Sequence, residues 1–273
     1  MQRRSVAKIL FRSKKFLACS TIVLSLALLG AIGPYFTYDP TDYVGRMYEP
    51  PSPKHICGTD IYGRDIFAQL VHGLRNSLMV GVIAGGISLL IAMAIGGISG
   101  YVHGFIGEAF NALINIFLVL PTIPLLIFFS ALVRIRSLFL VALFIAFITG
   151  WPGSARALRS MVLSLREKDF INLAIITGKR TRHIIFGEIF SNMIAYIFLQ
   201  FCGACASAIL AEAGISLIGL GPTDVPTLGM MLHWAIMSLS LQIGVWWWFF
   251  SPGLVLVLLI ASLYTMSSIM PEV

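Results

Sequence analysis

Long apolar runs alternate with short polar intervals along the chain, and this pattern predicts helices that cross a membrane. An apolar run of about 20 residues is long enough to span the hydrocarbon core of a bilayer as a helix. A β-barrel would instead show short segments of alternating apolar and polar positions, which are not seen here. We therefore predict an all-α membrane protein with six transmembrane helices. The predicted spans lie near residues 16–38, 77–101, 110–133, 137–151 and 192–211, and from Trp246 onward.

The composition agrees with a membrane protein and excludes a soluble globular one. Of the 273 residues, 58% are hydrophobic and only 11% are charged, with a mean hydropathy of +0.91. A soluble domain has roughly 25% charged residues. The net charge of +7 does not indicate nucleic-acid binding, because the basic residues flank the apolar runs, as they do beside membrane spans.

The distribution of basic residues predicts a cytoplasmic N-terminus. Residues 1–15 carry six basic residues and no acidic one, and the apolar run that follows is too long for a cleaved signal peptide. With six spans, thirteen of the 19 Lys and Arg residues fall on the cytoplasmic side. An excess of Lys and Arg in the cytoplasmic loops is the usual determinant of orientation.

The longest polar interval, residues 151–192, lies between the fourth and fifth predicted spans and holds seven basic and three acidic residues. Gly178 lies inside it, at a position suited to a left-handed helix end. A helix, a glycine turn and a second basic helix would form a rigid projection; an amphipathic loop lying on anionic lipid is the alternative. Four residues before the glycine recur at helical spacing and share one face: Phe170, Leu173, Ala174 and Thr177.

Few polar residues fall within the predicted spans, so each is a candidate site. Glu212 lies at the end of the fifth span, and we expect it to make a structural or gating hydrogen bond rather than to contact a solute. Asn111 and Asn115 share a face of the third span and either line a polar path or bond to a neighbouring helix. Residues 212–245 contain many Gly and Pro residues and are predicted to form a re-entrant or surface-lying segment packed against protein.

The outer segment, residues 39–75, is rich in Pro and Asp, and its charged residues admit two interpretations. Asp60, Arg64 and Asp65 either dock a soluble partner or form ion pairs within the loop. Neither interpretation is favoured by the sequence.

Small residues inside the apolar runs predict close packing between helices. Cys202 and Cys205 have the spacing of a redox or metal motif, but they lie in an apolar helix among small residues, which favours packing. The pairs Gly81/Gly85 and Gly96/Gly100 are spaced to let a second helix approach closely.

Several stretches resemble the C-type permeases of the dipeptide, oligopeptide and nickel importers, a family of ABC transporters. The polar interval reads WPGSARALRSMVLSLREKDF from Trp151. Other matching stretches begin at Gly58, Ile209 and Trp246, and they read GTDIYGRDIFAQLVHGLRNSLMVG, ILAEAGISLIGLG and WWWFFSPGL. The resemblance covers about residues 55–260 in the family's order.

The resemblance is loosest at the motif that gives the family's cytoplasmic loop its name. In that motif a Glu-Ala-Ala pattern is followed by a glycine. Here Asn172, Leu173 and Ala174 hold the first three positions and Gly178 holds the glycine, so only the last alanine and the glycine match.

The resemblance implies the type I ABC importer permease fold. Residues 1–75 would hold the cytoplasmic N-terminal segment, the first helix and the outer loop, and residues 76–273 the permease core with a coupling loop at 152–191. The residues expected to couple to an ATPase are Asp169, Phe170, Leu173, Ala174, Thr177, Gly178 and Arg180. Gate or pore candidates are Glu212, Asn111 and Asn115, and candidates for docking a binding protein are Asp60, Arg64 and Asp65.

The resemblance also implies partners: a related second permease forming a heterodimer, two cytoplasmic ABC ATPases and an extracytoplasmic solute-binding protein, in the cytoplasmic membrane of a prokaryote. The chain itself is expected to be no enzyme and to bind no metal or cofactor, with ATP and Mg bound by the ATPases. Thr177–Arg180 comes nearest to a phosphate-binding loop, but it lacks the first glycine and the Ser or Thr after the lysine.

The cargo is expected to be peptides, with oligosaccharides or nickel as alternatives on the same machinery. An ion-coupled secondary transporter is a possibility from another class. It would need ionisable residues within the membrane, and the predicted spans have essentially none besides Glu212.

Overall fold

A computed structural model describes residues 13–133, 137–223 and 225–269, and every long element of these residues is a helix. The basic residues before Ser13, the two arginines of the predicted outer loop at 134–136, and Asp224 lie outside the described residues. The helices are α1 Lys14–Ile32, α2 Ile66–Tyr101, α3 Phe105–Val119, α4 Thr122–Val133, α5 Leu138–Ile145, α6 Trp151–Arg166, α7 Asp169–Ile176, α8 Thr181–His183, α9 Phe190–Asn192, α10 Ile194–Leu217, α11 Leu228–Met237 and α12 Trp246–Ser268.

Five stretches of the described chain are long and apolar enough to cross a membrane, and the number is six when a bent pair of helices is counted as one span. The bent pair is α3 and α4, which meet at an angle of 81°. The predicted six-span helical fold is therefore confirmed. The other five spans are Lys14–Tyr35, Ile66–Tyr101, Leu138–Arg166, Ile194–Leu217 and Trp246–Ser268.

The 36-residue helix α2 is the central element, and it contacts α1, α3, α5, α6, α10 and α11. It begins at Ile66, eleven residues before the predicted start, because the Asp65 side chain caps it by accepting a hydrogen bond from the Ala68 N–H. The division expected after residue 75 therefore falls inside a continuous helix.

Glycines on α2 allow two helices to approach it closely. A methyl group added at Gly85 would lie 2.8 Å from the backbone nitrogen of Cys205 on α10, and one added at Gly96 would lie 2.5 Å from the carbonyl oxygen of Ala155 on α6. Cys202 and Cys205 are buried in the core formed by α1, α2 and α10–α12. These contacts agree with the packing interpretation of both small-residue patterns.

The predicted polar interval begins too early, because the fourth span continues without a break to Arg166. A π-helical turn, Ala146–Gly150, joins α5 to α6, and the Trp151 indole donates to the Phe147 carbonyl across it at 3.1 Å. The buried face of α6 packs against α2. Arg156, Ser160 and Ser164 lie on the opposite, exposed face. Arg159 and Arg166 instead donate hydrogen bonds to α2, to the Ser99 hydroxyl and to the Gly100 carbonyl. The loop itself starts at Glu167.

The segment after α10 contains the short helix α11, packed against α2, α10 and α12. Thr227 caps this helix by accepting from the Met230 N–H. Most of α11 is buried, so this part of the predicted segment is packed against protein. Residues 212–217 belong to α10 instead, and residues 241–244 are exposed.

Candidate functional sites: the coupling knob and the Glu212 network

Residues 169–192, here called the knob, project between the fourth and fifth spans as two helical arms joined by a glycine turn. The first arm, α7, ends at Gly178, whose φ is +74°. The Gly178 N–H donates to the Ile175 carbonyl at 2.9 Å, and the Lys179 N–H donates to the Ala174 carbonyl at 3.1 Å. This is a Schellman helix end, which requires a left-handed residue at the glycine position.

The second arm begins at α8 and continues through a π-helical stretch, Ile184–Ile189, into α9. Lys179 of the turn forms an ion pair of 2.6 Å with Glu188 of the second arm. Arg180 is exposed where the second arm begins. The predicted helix–glycine–helix projection is present, and its two arms pack together through buried apolar side chains such as Ile171 and Ile184.

The two faces of α7 have different environments, and one expected coupling residue lies on the unexpected face. Ala174 is only 4% exposed and packs with Ile171 in the core that α6 and the second arm share. Leu173 and Ile176 are 62% and 81% exposed. The expectation that Ala174 faces outward with Leu173 is therefore wrong. Ala174 lies on the same face of the helix as Ile171, three residues earlier, and this face packs inward.

The other expected coupling residues lie at or near the exposed side of the knob. Asp169 is an exposed acidic residue in the first turn of α7, where its negative charge interacts favourably with the positive end of the helix dipole. Phe170 is partly exposed, and the Thr177 hydroxyl donates to the Leu173 carbonyl at 2.9 Å. The knob thus presents exposed apolar side chains on a rigid backbone.

Glu212 is completely buried and accepts hydrogen bonds from three hydroxyl groups. Its Oε1 accepts from Ser216 at 2.6 Å and from Thr227 at 2.7 Å, and its Oε2 accepts from Ser77 at 3.4 Å. The hydroxyls belong to α10, to the N-cap of α11 and to α2. Glu212 lies inside α10, which continues to Leu217, past the predicted end of the span.

The direction of the hydrogen bonds in this network is fixed. The Thr227 hydroxyl accepts from the Met230 N–H, and the Ser77 hydroxyl accepts from the Leu228 N–H at 3.1 Å each. Both hydroxyls therefore point their own protons at the carboxylate. The network links the positive end of the α11 dipole to a negative group and joins α2, α10 and α11.

The two asparagines of the third span have different surroundings. Asn115 accepts a hydrogen bond from the Arg156 guanidinium on α6 at 2.8 Å, and both side chains are exposed. Asn111 is partly exposed one turn earlier. The sequence allowed these asparagines either to line a polar path or to bond to a neighbouring helix, and Asn115 makes such a bond to α6.

Two of the three residues expected to dock a soluble partner are buried inside the outer loop. Asp60 accepts from the backbone N–H groups of Tyr62 and Arg64 and from the Gln69 side chain. Asp65 caps α2 and lies 2.7 Å from His55. Docking through Asp60 and Asp65 is corrected to an internal role, because a carboxylate already enclosed by donors has no free surface.

Arg64 pairs with Asp60 at 3.4 Å and stacks 4.4 Å from the centre of the Tyr62 ring. The predicted ion pairing within the loop therefore describes Asp60 and Arg64, whereas Asp65 caps α2 and shares a hydrogen bond with His55. Among the described residues, no group of three His, Cys, Asp or Glu side chains is placed to hold a metal ion.

The six spans define a multi-pass helical membrane protein whose longest connection is a rigid, capped projection. A family model for the binding-protein-dependent transport system inner membrane component matches residues 92–271. The chain belongs to this family. The matched region includes the knob and Glu212 with its partners Ser216 and Thr227, but not Ser77.

Curated relatives resemble the chain over most of its length. The oligopeptide transport system permease protein OppC of Mycobacterium tuberculosis is 33% identical over 260 residues, which cover 90% of this chain and 87% of the relative. OppC of Bacillus subtilis is 32% identical over 253 residues, with 91% and 82% covered. The dipeptide transport system permease protein DppC of Bacillus subtilis is 31% identical over 251 residues, with 89% and 75% covered.

Proposed function

We propose that the chain is the permease subunit of an ATP-driven ABC importer for peptides. The relatives at 31–33% identity are named as oligopeptide and dipeptide permeases. The structural observation that carries the proposal is the knob, a helix pair with a fixed turn and exposed Leu173 and Ile176 at its end. Exposed apolar side chains on a rigid helix suit insertion into a groove of another protein.

In this proposal, two cytoplasmic ATPases drive the knob, and a related second permease completes the membrane path. An extracytoplasmic solute-binding protein delivers the peptide. ATP-driven closure of the ATPases moves the knob, and α6 and the second arm transmit the movement because they share one core with Ile171 and Ala174. A ligand can shift such an equilibrium only through contacts that differ between the two states.

The Glu212 network is proposed as the gate element. The network ties the N-terminus of α11 to α2 and α10, so α11 moves with these helices as one unit. Glu212 accepts hydrogen bonds from three hydroxyl groups and is completely buried, so it presents no exposed oxygen to a solute. The role proposed for it is therefore structural.

ATP and Mg are proposed to bind only to the partner ATPases, and this gives a direct test. A tagged chain, co-expressed with its neighbouring transport proteins, should co-purify with two ATPase subunits and a second permease. The complex should hydrolyse ATP, whereas the chain purified alone should not exceed a mock preparation. Hydrolysis by the isolated chain, or purification without any ATPase, would refute the proposal.

The proposed cytoplasmic location of the knob can be tested by labelling in intact cells. Burial raises the pKa of the Cys57 thiol, and a thiol with a raised pKa reacts more slowly because the thiolate is the reactive form. Cys57 is still partly exposed, so the experiment uses a cysteine-free background. Tyr43→Cys should react with a membrane-impermeant thiol reagent, because Tyr43 is exposed in the outer segment. Arg180→Cys should react only after the cells are opened. Labelling of Arg180→Cys in intact cells would place the knob outside the cytoplasm and contradict the proposal.

A further inference from the structure

The turn between α2 and α3, residues 102–104, lies beside the end of α6 from which the knob starts. Residues 167 and 168 separate Arg166, the last residue of α6, from the knob. A methyl group added at Gly100, in the last turn of α2, would lie 2.9 Å from the carbonyl oxygen of Arg159 on α6. The side chains of Arg159 and Arg166 both bind this end of α2, and we call the pair the arginine clamp.

Arg166 supplies the positive charge that the end of α2 lacks. The last carbonyl groups of a helix have no intrahelical donors and carry a partial negative charge, and the last turn of α2 contains no basic residue. The Arg166 Nη1 donates to the carbonyls of Gly100 and Tyr101 at 3.3 and 3.4 Å. It also lies 3.4 Å from Nδ1 of His103, which accepts, because a guanidinium has only donors. The end of α2 is thus capped by a side chain from α6.

Arg159 reaches the start of α3 through a serine of α2. The Arg159 Nε donates to the Ser99 hydroxyl at 2.9 Å, and this hydroxyl donates to the Gly107 carbonyl at 3.1 Å. Ser99 is buried and Arg159 is half-buried. A methyl group added at Gly107 would collide with the Val102 carbonyl oxygen, so α3 starts tightly against the turn. One chain of hydrogen bonds therefore joins α6, α2 and α3.

Few residues of α3 are buried, so polar contacts matter for its position. Of its 15 residues, only Gly107 and Ile114 are buried, whereas 19 of the 36 residues of α2 are. Helices in a membrane associate through close packing and through hydrogen bonds between them. The other polar contact between α3 and α6, from Arg156 to Asn115, is exposed. The partly buried contacts at the turn are therefore the main polar connection between α6 and the start of α3.

The clamp fixes positions through directed hydrogen bonds rather than through an ion pair. Among the described residues, no ion pair includes Arg159 or Arg166. Their acceptors are a hydroxyl group, two carbonyl oxygens and an imidazole nitrogen. A guanidinium presents its donors in one rigid plane. The acceptors therefore keep these bonds only while the turn keeps its place relative to α6.

We propose that the arginine clamp makes the α2–α3 turn follow α6 when the knob moves, so that Arg159 and Arg166 are positioning residues of the transport cycle. This inference rests on the proposed function. α6 shares one apolar core with the knob, and the clamp extends this connection to the end of α2 and the start of α3. Packed side chains and hydrogen-bond networks of this kind carry coupling between distant sites.

The connection is tested by distances between two spin labels in the complete importer, held in lipid nanodiscs, without nucleotide and with a non-hydrolysable ATP analogue. The cysteine-free parent must first import peptide in vesicles, which tests the proposed function separately. Phe105→Cys at the start of α3 and Lys168→Cys beside the knob are both exposed positions. Their separation should be the same in both states of the parent. It should change between the states when methionine replaces both clamp arginines and removes their donors.

A second pair of labels reports on the knob itself. Val257 is exposed on α12, a helix that packs in a different core from the knob. The distance from Lys168→Cys to Val257→Cys should change between the two states in the parent and in the methionine variant alike. An unchanged distance in this pair would mean that the knob does not move, which would contradict the proposed function as well.

A second measurement compares peptide uptake with ATP hydrolysis. The Arg159→Met/Arg166→Met variant should keep its ATPase subunits but import at least about tenfold fewer peptides per ATP hydrolysed, because the knob then moves without α3. Arg166→Lys should keep a higher ratio than the methionine variant, since an ammonium group can still donate to the carbonyls. Arg156→Met is the matched control, because it removes the exposed arginine of α6 that also binds α3, and it should transport like the parent.

Three results would overturn the inference while the parent still imports peptide and the proposed function stands. The methionine variant could import as many peptides per ATP as the parent, or keep the same distance between labels at positions 105 and 168 in both states. Arg156→Met could lower the ratio as far as loss of the clamp does. The methionine variant could lose its ATPase subunits, which would mean that the clamp holds the fold together rather than passing on a movement.

Discussion

Replacing Gly178 with valine is expected to abolish ATP-driven uptake while leaving the membrane helices folded. Gly178 has a φ of +74° and closes the Schellman end of α7. A non-glycine residue in this conformation costs roughly 1–2 kcal/mol, and a β-branched side chain is the least tolerant. The added strain opens the turn and changes the angle at which Leu173 and Ile176 are presented.

Gly178→Asn is the matched control, because asparagine adopts the left-handed conformation readily. No atom lies within 4 Å of a side chain added at this position, so strain and not collision separates the two variants. The measurements are peptide uptake in vesicles and the amount of ATPase retained on the purified complex. Equal uptake by both variants would mean that the turn geometry does not matter for coupling.

Replacing Glu212 with alanine is expected to loosen α11 and to reduce uptake severely. The change leaves the hydroxyls of Ser77, Ser216 and Thr227 without their common acceptor in a fully buried site. Hydrogen bonds to a charged group contribute roughly 1.5–3 kcal/mol each. We therefore expect a lower midpoint of thermal unfolding for the purified complex, together with faster proteolysis near α11.

Glu212→Gln separates the charge from the shape of the side chain. The glutamine amide oxygen can accept two of the hydrogen bonds, but its NH₂ group faces a hydroxyl that already donates. Its uptake and thermal midpoint should fall between those of the wild type and Glu212→Ala. If Glu212→Ala unfolds and transports like the wild type, the network is not the element that holds α11.

The order and number of spans could be predicted because long apolar runs dominate the sequence, whereas helix ends could not. Gln69, His72 and Arg75 gave the start of α2 the composition of a loop, although the Asp65 cap starts the helix before them. The start of the loop after the fourth span was misplaced for a related reason. The polar residues of α6 either lie on its exposed face or donate hydrogen bonds to α2, and composition alone does not separate such a helix from a loop.

The sequence predicted which residues were candidates for a functional site, but it did not predict which residues contact one another. Spacing placed Leu173 and Ala174 near one face of a helix, yet only packing against the second arm decides which side is covered. Asp60 turned inward because local N–H groups surround it, which no spacing rule indicates. The partners of Glu212 include Ser77, 135 residues away in the chain. Contacts at such separation are set by the tertiary fold.

The most direct measurement of the central claim is uptake of a labelled peptide by vesicles that contain the complete complex and enclose ATP, with its solute-binding protein supplied outside. Uptake should require ATP on the knob side, should persist when ion gradients are collapsed, and should be lost with Gly178→Val but retained with Gly178→Asn. Uptake that proceeds without ATP and follows an ion gradient, or that is unaffected by Gly178→Val, would contradict the assignment of this chain as an ATPase-coupled permease.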